Sequence, residues 1–462
     1  MLSKLDKRIL LGIVLAYFIV FASFTALRHY TFQTQTWDMA AFVQTFWNTI
    51  HGKIMFNNLE EVPNHLGLHW TPFLFLLIPG YLLFPSPYYL LIIQTLALAL
   101  GAIPLYLLAK KHLGKTNWAA LATGAYLLYP SLHWVNTFDF HELTFLAPIL
   151  ITAIYFFEEK KWLWAGIFFA LSAAVREDAI PVVIFVALYF LFRSKLGFEK
   201  SWWKLDRKIA VLIAVTGIIY LALTLAVFMP AFTEGKLIRF DRYQHLGETP
   251  GEAIKNAVAQ PMLIAETIFT PEKIRYFLWL FAPLAFLPLA SGWALAMLLP
   301  GLAENLLTNF SFQFSGNYQY DSVIIPVMLV CLIYGLKNIL SRWPAKEKVV
   351  FWILAGAILI AFLVRSPISP INSPWQLLQN RPEWKAYREL VKMVPPEATV
   401  AAYTNLVPHL SHREHAYMIG REKQPVEVVI ADTADIFGFP SQEAFQKYID
   451  SSISKTTNLP ED

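Results

Sequence analysis

The sequence predicts a mainly α-helical protein that crosses a membrane many times and carries a small α/β domain at its C-terminal end. Of its 462 residues, 56% are hydrophobic and only 15% are charged, and the mean hydropathy is +0.46. A soluble chain carries about 25% charged residues. The single cysteine, Cys331, excludes an intrachain disulfide framework.

Apolar runs that approach the roughly 20 residues of a transmembrane helix lie at residues 9–27, 88–109, 117–135, 143–157, 162–175, 179–193, 208–229, 276–290, 292–308, 320–339 and 349–365. Another run, Thr71–Phe84, is short and is interrupted by Pro79 and Gly80. We interpret it as re-entrant or interfacial because such a segment does not cross a bilayer comfortably. The sequence therefore predicts about 11 crossings, together with interfacial or re-entrant helices.

The distribution of basic residues predicts the orientation. If the N-terminus is cytoplasmic, alternation places every short basic loop on that same side, as the positive-inside rule requires. These segments contain Lys4, Lys7 and Arg8; Lys110, Lys111 and Lys115; Lys160 and Lys161; Arg193–Lys208; and Lys337, Arg342, Lys346 and Lys348. We therefore expect a multi-pass protein of the cell membrane with a cytoplasmic N-terminus and an external C-terminal domain.

The domain organisation follows from a change in composition near residue 370. Residues 1–370 are predicted to form the transmembrane domain, with an interfacial helix at 36–51 and a long external loop at 230–275 that is either a mobile cover or a structural cap. Residues 371–462 are predicted to form a small external α/β domain. Its predicted strands are Ala398–Thr404, His415–Ile419 and Val426–Asp432, and its predicted helices are Asn405–His412 and Ser441–Ser451.

The stretch Thr36–Ile50 combines one acid with many aromatic residues. At about 100° per residue, Asp38 shares a helix face with Gln44 and Asn48, and the opposite face is apolar. Such a helix would lie on the membrane surface with Asp38 directed at whatever binds above it. The alternative is that Asp38 only favours the positive end of a helix.

Two charged motifs fall in loops on the same predicted side. Asp139 and His141 offer oxygen and nitrogen atoms that could bind a divalent cation such as Mg²⁺ or Mn²⁺. The alternative is that Asp139 and Glu142, which have the spacing of a capping box, only cap a helix. In the second motif, Arg176 could bind a lipid phosphate. Its neighbours Glu177 and Asp178 are costly near a membrane unless paired, and the whole motif could simply anchor a helix end.

Further polar residues are predicted on the external side. The absence of known motifs argues against nucleotide-binding proteins and zinc proteases. His65 and His69 precede the Thr71–Phe84 run, and Tyr318, Tyr320 and Asp321 precede a later span. The sequence contains no P-loop, dinucleotide-binding or zinc-protease motif. No feature favours a nucleic-acid partner.

Several motifs carry a family resemblance, and they are DMAAFVQTFWNT, HWTPFLFLLIP, LGAIPLYLLAK, NTFDFHE, REDA, NYQYDSVIIP and NLVPHLSHR. Through them the chain resembles an uncharacterised prokaryotic family of membrane proteins, domain of unknown function 2079, over nearly its whole length. Arg176 stands where a Lys is expected, which keeps the charge. Asn317 stands where the family often has His, which weakens a catalytic role there.

A more distant resemblance is to GT-C-type glycosyltransferases, which use polyprenyl-phosphate sugars. These enzymes place an acid on an interfacial helix after the first span and an acidic motif in the next external loop. By this analogy Asp38 corresponds to the first acid, and Asp139 with Glu142 to the second.

Our hypothesis from the sequence is a membrane glycosyltransferase that moves a sugar from a polyprenyl-phosphate donor to an unidentified acceptor at the external face. Asp38 would be the general base, and Arg176 with a cation at Asp139 and His141 would stabilise the phosphate leaving group. The expected substrate-binding residues are Gln44, Asn48, His65, His69, Glu142, Arg176, Glu177, Asp178, Tyr318, Tyr320 and Asp321. The alternatives are a lipid or small-molecule carrier (a flippase) and a non-catalytic envelope assembly protein.

Overall fold

The structure is a computed structural model that describes residues 3–193, 205–372, 374–379 and 381–456. It consists of a large bundle of helices and a small parallel sheet near the C-terminus. The predicted fold class, mainly α-helical with a C-terminal α/β part, is confirmed. Most of the basic segment Arg193–Lys208 and the last residues of the predicted C-terminal domain lie outside the described residues.

In the part of the chain that the structure describes, the bundle and its loops contain 18 α-helices. They are α1 Lys4–Tyr30, α2 Ala41–Ile50, α3 His65–Leu68, α4 Ile78–Leu83, α5 Pro87–Leu100, α6 Ala102–Leu113, α7 Thr116–Leu127, α8 Pro130–Thr137, α9 Leu146–Glu158, α10 Trp162–Val175, α11 Ala179–Phe192, α12 Leu205–Leu223, α13 Pro250–Ala259, α14 Pro261–Ile268, α15 Pro271–Phe281, α16 Leu299–Leu307, α17 Ile325–Arg342 and α18 Glu347–Arg365. Longer 3₁₀ segments occur at Ile238–Leu246 and Leu287–Leu298, and π-helical turns occur at Thr36–Ala40 and Thr224–Phe228.

Local sequence signals explain where several helices begin and end. Ser3 caps α1 by accepting a hydrogen bond from the Asp6 amide, and Asp6 completes a capping box. Helix α5 begins with Pro87 after the capping residue Ser86. Helix α6 ends at Gly114, whose φ of +76° is left-handed and therefore favours glycine.

Within the described residues, six helical segments are long and apolar enough to cross a membrane. They are Lys4–Tyr30, Pro87–Leu113, Leu205–Phe232, Leu287–Leu307, Ile325–Arg342 and Pro344–Arg365. The apolar helices α10 and α11 are shorter, with 14 residues each. The protein is therefore a multi-pass membrane protein, and the count of about 11 crossings stays a prediction.

Helix α17 lies at the centre of the bundle, because every residue from Ile325 to Leu336 is buried. Three outer spans are much less buried than α17. Only 28% of the apolar window is buried in Lys4–Tyr30, 22% in Leu205–Phe232 and 11% in Pro344–Arg365. Their exposed Leu, Ile, Val and Trp side chains form the surface that faces lipid.

The two ends of the bundle carry different chemistry. At one end the basic loops contact neighbouring acids: Lys110 lies 3.7 Å from Asp6, and Lys115 lies 2.6 Å from Glu347. The DFHE motif (residues 139–142) and the REDA motif (residues 176–179) lie at the other end, since α9, α10 and α11 run between the two sets of loops. The segregation of charge expected from the sequence is thus present in three dimensions, whereas the orientation in the membrane stays a prediction.

Up to residue 456, where the description ends, the C-terminal part contains three short parallel strands: β1 Val400–Ala402, β2 Ala416–Met418 and β3 Val428–Ile430. Their order is β2–β1–β3, with Val400 opposite both Ala416 and Val428. Each strand lies within one of the three predicted strands. Helices α20 Val407–Leu410 and α21 Gln442–Thr456 lie where helices were predicted, and α19 Pro382–Met393 is an additional helix.

The C-terminal part packs on the segment that follows α1. Its main apolar cluster, which includes Val400, Leu406 and Leu410, also contains Phe32 and Ala40. The Thr36 hydroxyl donates to the Thr404 carbonyl oxygen at 3.1 Å. The domain boundary at residue 371 stays a prediction, and residues from both sides of it share one core.

Candidate active site

A cavity of about 630 Å³ lies at the end of the bundle that carries the DFHE and REDA motifs. Eight of the predicted site residues line it: Asp38, His65, His69, His141, Glu142, Arg176, Tyr318 and Tyr320. Its wall contains both aromatic rings and charged groups. Further rings come from Trp37, Phe42, Phe138, Phe310, Phe312 and Phe437, and further charges from Glu60, Glu61, Arg239, Asp241 and Arg242.

Asp38 reaches the cavity from a π-helical turn rather than from a regular helix. The Ala40 amide donates to the Gln35 carbonyl oxygen at 3.2 Å, and α2 begins only at Ala41. Such i→i+5 turns are rare and often occur at functional sites. The Asp38 side chain is 23% exposed, so its carboxylate remains accessible from the cavity.

Asp38 is paired with His141, whose Nε2 lies 2.7 Å from the Asp38 Oδ1. Burial opposes a charge on this imidazole, but the carboxylates of Asp38, Glu142 and Asp139 together outweigh burial and raise the pKa of His141. The ring of His141 also stacks on Phe138, with centroids 5.6 Å apart. The cavity wall therefore presents a carboxylate whose position is fixed by an imidazole.

The Gln94 side chain of α5 fixes the backbone of the DFHE turn by two hydrogen bonds. The Gln94 side-chain amide donates to the Asp139 carbonyl oxygen at 2.9 Å, and its oxygen accepts from the His141 amide at 2.8 Å. Asp139 has a φ of +51°, a left-handed conformation that is uncommon outside glycine. This turn directs His141 toward the cavity and Asp139 away from it.

Asp139 lies behind the cavity and supports the turn that carries Asp38. Its Oδ2 accepts a hydrogen bond from the Gln35 amide at 2.8 Å, and its Oδ1 lies 4.0 Å from the Arg28 guanidinium. Burial raises the pKa of the Asp139 carboxyl to about 6. The capping-box alternative is not formed, because the first 3₁₀ turn after the motif has no side-chain cap.

The arrangement does not fit a divalent cation. Across the described ranges of the chain, no group of three or more His, Cys, Asp or Glu side chains is placed to hold a metal ion. Asp38 and His141 direct their donor atoms at each other, and Asp139 is turned to a backbone amide. Metal sites need several oxygen or nitrogen ligands around one point. The Asp139–His141 metal site stays a prediction.

Arg176 joins the REDA motif to the DFHE motif. Its Nη1 lies 3.3 Å from the Glu142 Oε1, and its Nε donates to the Asp178 Oδ2 at 2.7 Å. The Arg176 side chain is only 4% exposed and that of Glu142 only 1%. Burial alone would be costly for all three charges, so each depends on the others for compensation.

Glu177 holds the segment that contains His65 and His69 against the bundle. Its carboxylate accepts from the Trp70 amide at 2.8 Å and contacts the His69 Nδ1 at 2.7 Å. Burial and the nearby Arg176 hold the pKa of His69 well below its usual value. His69 is therefore a neutral donor to Glu177.

Besides Asp139 and Glu177, four predicted residues bind other parts of the chain instead of facing the cavity. Gln44 of α2 donates to the Glu414 carbonyl oxygen at 2.9 Å, and Asn48 donates to the Phe56 carbonyl oxygen at 3.0 Å. Asp321 is buried and accepts from the Tyr276 hydroxyl at 2.6 Å. Asp178 is held by Arg176. The face of α2 expected to be open is covered by the 53–60 loop and the C-terminal part.

Three residues that the sequence did not single out lie on the cavity wall or directly behind it. Arg239 and Arg242 enter from the Ile238–Leu246 segment of the 230–275 loop, and Gln94 enters from the middle of an apolar run. The signal for Gln94 was present, because a polar side chain within a membrane span needs a partner there. The two arginines had no comparable signal, since surface loops often carry charges.

A buried ion pair beside the cavity makes stability depend on pH. The His65 Nδ1 lies 2.9 Å from the Glu60 Oε1. Burial disfavours both charges, yet the interaction between the partners raises the pKa of His65 and lowers that of Glu60. The stability due to His65 is complete below its ordinary value of 6.5 and is lost as the pH rises through the raised pKa. The stability due to Glu60 is complete above 4.5 and is lost at lower pH.

His65→Gln is therefore expected to lower the melting temperature most between pH 4.5 and 6.5. Thermal unfolding of the wild type and the variant in detergent, across a pH series, measures the difference. His51→Gln, which changes an exposed histidine, is the control. A difference that is as large at alkaline pH as at pH 6 would show that the pair is not ionised.

The sequence comparison identifies the family. Residues 28–458 match the family model described as "Predicted membrane protein (DUF2079)". The chain belongs to this family. The matched range includes every residue of the cavity, and the resemblance inferred from the motifs is confirmed. No curated protein matches the chain.

One solved structure shows a weak likeness. It is the crystal structure of the Archaeoglobus fulgidus oligosaccharyltransferase, tethered through a disulfide to an acceptor peptide with the NVT sequon. The identity is 14% and the TM-score is 0.46, over 96% of this chain and 68% of that chain.

Proposed function

We propose that this member of the DUF2079 family is a membrane glycosyltransferase that moves a sugar from a polyprenyl-phosphate donor to a hydroxyl acceptor. One observation carries the proposal. Asp38, which lies 2.7 Å from His141, is on the wall of a cavity that is also lined by aromatic rings and by cations. A carboxylate can act as a general base, aromatic rings can pack against a sugar, and cations can bind a phosphate.

Asp38 would act as the general base. The acceptor oxygen attacks the anomeric carbon of the sugar while its proton passes to the Asp38 carboxylate. The bond between that carbon and the phosphate oxygen breaks, and the electron pair leaves with the phosphate. His141 keeps the Asp38 carboxylate oriented throughout, and the proton is later lost from Asp38 to water.

The rings of the cavity provide surfaces for the sugar. Phe138 and Tyr318 meet edge to face with centroids 4.4 Å apart, and Trp37 lies 5.8 Å from Phe437. Ring faces pack against the C–H surface of a sugar, and the Tyr318 hydroxyl can exchange hydrogen bonds with it. Two of these rings come from the loops next to Asp38 and His141, so a sugar held by them would lie beside the base.

The lipid chain of the donor needs an apolar path to the site. The Thr71–Phe84 run, proposed from sequence as part of this path, ends in α4 with Leu82, Leu83 and Phe84 exposed by 61%, 73% and 67%. Such exposure is expected where a protein faces lipid. The basic loops lie at the opposite end of the bundle, and by the positive-inside rule this supports a cavity that opens at the external face.

A reconstitution assay tests the proposal. The purified protein in liposomes receives a panel of radiolabelled polyprenyl-phosphate sugars and a membrane extract as the source of acceptor. We expect protein-dependent release of polyprenyl phosphate and transfer of the label. A carrier would move the donor across the bilayer without cleaving it, and an assembly protein would do neither. An intact donor with every sugar of the panel would contradict the proposal.

A further inference from the structure

We propose that Arg242 binds the phosphate of the donor, at a subsite formed with Gln313, Phe310 and Tyr320. The inference rests on the proposed function and assigns the phosphate to a residue that the sequence did not single out. The supporting observation is which positively charged side chains of the cavity have a carboxylate partner and which do not.

Six side chains that line the cavity can carry positive charge, and five of them have a carboxylate partner. The pairs are Arg176 with Glu142 and Asp178, Arg239 with Glu61, His65 with Glu60, His69 with Glu177, and His141 with Asp38. Among the described residues, Arg242 has no carboxylate within ion-pair distance. It is the cation of the cavity whose charge remains available for an anionic ligand.

Neutral groups hold the Arg242 guanidinium in place. Its Cζ lies 4.2 Å from the centroid of the Phe310 ring and 5.6 Å from that of Tyr320. Its Nη1 donates to the Gln313 Oε1 at 3.4 Å, and its carbonyl oxygen accepts from the Asn309 amide at 3.0 Å. Ring stacking and amide contacts orient a guanidinium without neutralising it. The subsite is therefore organised before a ligand binds.

The position of Arg242 suits a leaving group. Arg242 and Asp38 line the same cavity, and Tyr320 lies on its wall as well. A sugar between Asp38 and Arg242 would have the acceptor hydroxyl on one side and the phosphate on the other. A guanidinium can bind two phosphate oxygens at once, and it stabilises the charge that develops as the phosphate leaves.

Arg176 is less suited to this task than Arg242. Its guanidinium is shared by the Glu142 and Asp178 carboxylates, and its side chain is 4% exposed. A phosphate placed there would meet two negative charges and would have to displace one of them. Arg239 is likewise held by both oxygens of Glu61, at 2.9 and 3.0 Å.

A binding experiment tests the inference without any sugar transfer. Undecaprenyl phosphate, undecaprenol and inorganic phosphate are titrated separately into the detergent-solubilised full-length protein. We expect Arg242→Gln to weaken undecaprenyl phosphate binding by about 10- to 100-fold, with undecaprenol binding unchanged. Arg242→Lys, which keeps the charge but loses the two-pronged contact, should fall between the wild type and Arg242→Gln. The matched control is Arg239→Gln on the same 3₁₀ helix, and a change below about threefold is expected because Glu61 already occupies this arginine.

Three outcomes would overturn the inference. They are equal undecaprenyl phosphate affinity in the wild type and Arg242→Gln, an equal loss in Arg239→Gln, and wild-type binding of inorganic phosphate as tight as that of the lipid. Melting temperatures of the variants show that each is folded. If undecaprenyl phosphate binding depends on Arg242 but no sugar is transferred in the liposome assay, the proposed function fails while the phosphate subsite stands.

Discussion

Asp38→Asn is expected to lower the rate of sugar transfer by about 10²–10⁴-fold. The amide keeps the size and the hydrogen-bonding position of the carboxylate next to His141 but cannot accept the acceptor's proton. Binding of undecaprenyl phosphate should be unchanged, because Arg242 and not Asp38 contacts the phosphate. Single-turnover transfer in liposomes measures the rate, and a lipid titration measures the binding.

The matched control for this variant is Asp241→Asn, since Asp241 is another acid that lines the same cavity. Its side chain is not paired with His141, so we expect a change in rate below about threefold. Asp38→Glu should restore part of the activity, because it returns a carboxylate at a shifted position. Transfer by Asp38→Asn at the wild-type rate would remove Asp38 from the mechanism.

Arg176→Met should destabilise the protein by about 3–5 kcal/mol, because it leaves the buried Glu142 carboxylate and the Asp178 carboxylate without a cation. Thermal unfolding in detergent reports this as a large fall in melting temperature. Arg239→Met breaks an ion pair whose side chains are 30% and 54% exposed, and it should cost no more than about 1 kcal/mol.

A second substitution identifies the cause of that loss. Adding Glu142→Gln to Arg176→Met removes one of the stranded charges, so the double variant should be more stable than Arg176→Met alone. A double variant that is less stable would mean that packing, and not charge, is what Arg176 contributes. Equal effects of Arg176→Met and Arg239→Met would contradict the burial argument.

Much of the fold could be predicted because it depends on local pattern. The long apolar runs became the helices of the bundle, and the alternating residues near Val400, Tyr417 and Val429 became the three strands. The approximate positions of Asp38, Glu142 and Arg176 at one end of the bundle followed from counting spans. Apolar length and residue alternation are properties of short segments, so they can be found without knowing the partners.

The wall of the cavity was harder to predict because it depends on distant partners. A regular helix from Thr36 would place Gln44 and Asn48 beside Asp38, but α2 begins after a π-helical turn and Asp38 leaves that face. This turn is held by the Asp139 side chain at Gln35. No local pattern in the sequence specifies an i→i+5 turn that is held from another loop.

The same reasoning applies to Arg242. In the sequence it is one of several basic residues in a polar loop. What distinguishes it is that its neighbours in space are Phe310, Gln313 and Tyr320, whereas the other cations of the cavity lie next to acids. The pairing of charges is a property of the assembled structure, and it cannot be predicted from the local pattern of one sequence.

The contact between Thr36 and Thr404 has a consequence for biogenesis. The two residues are 368 positions apart and are joined by hydrogen bonds directly beside Asp38. While the ribosome is still inserting the membrane helices, the Asp38 turn lacks the strand-and-loop unit against which it packs. The surroundings of Asp38 are therefore completed last, and we expect a truncated or unfinished chain in the membrane to lack the assembled cavity wall.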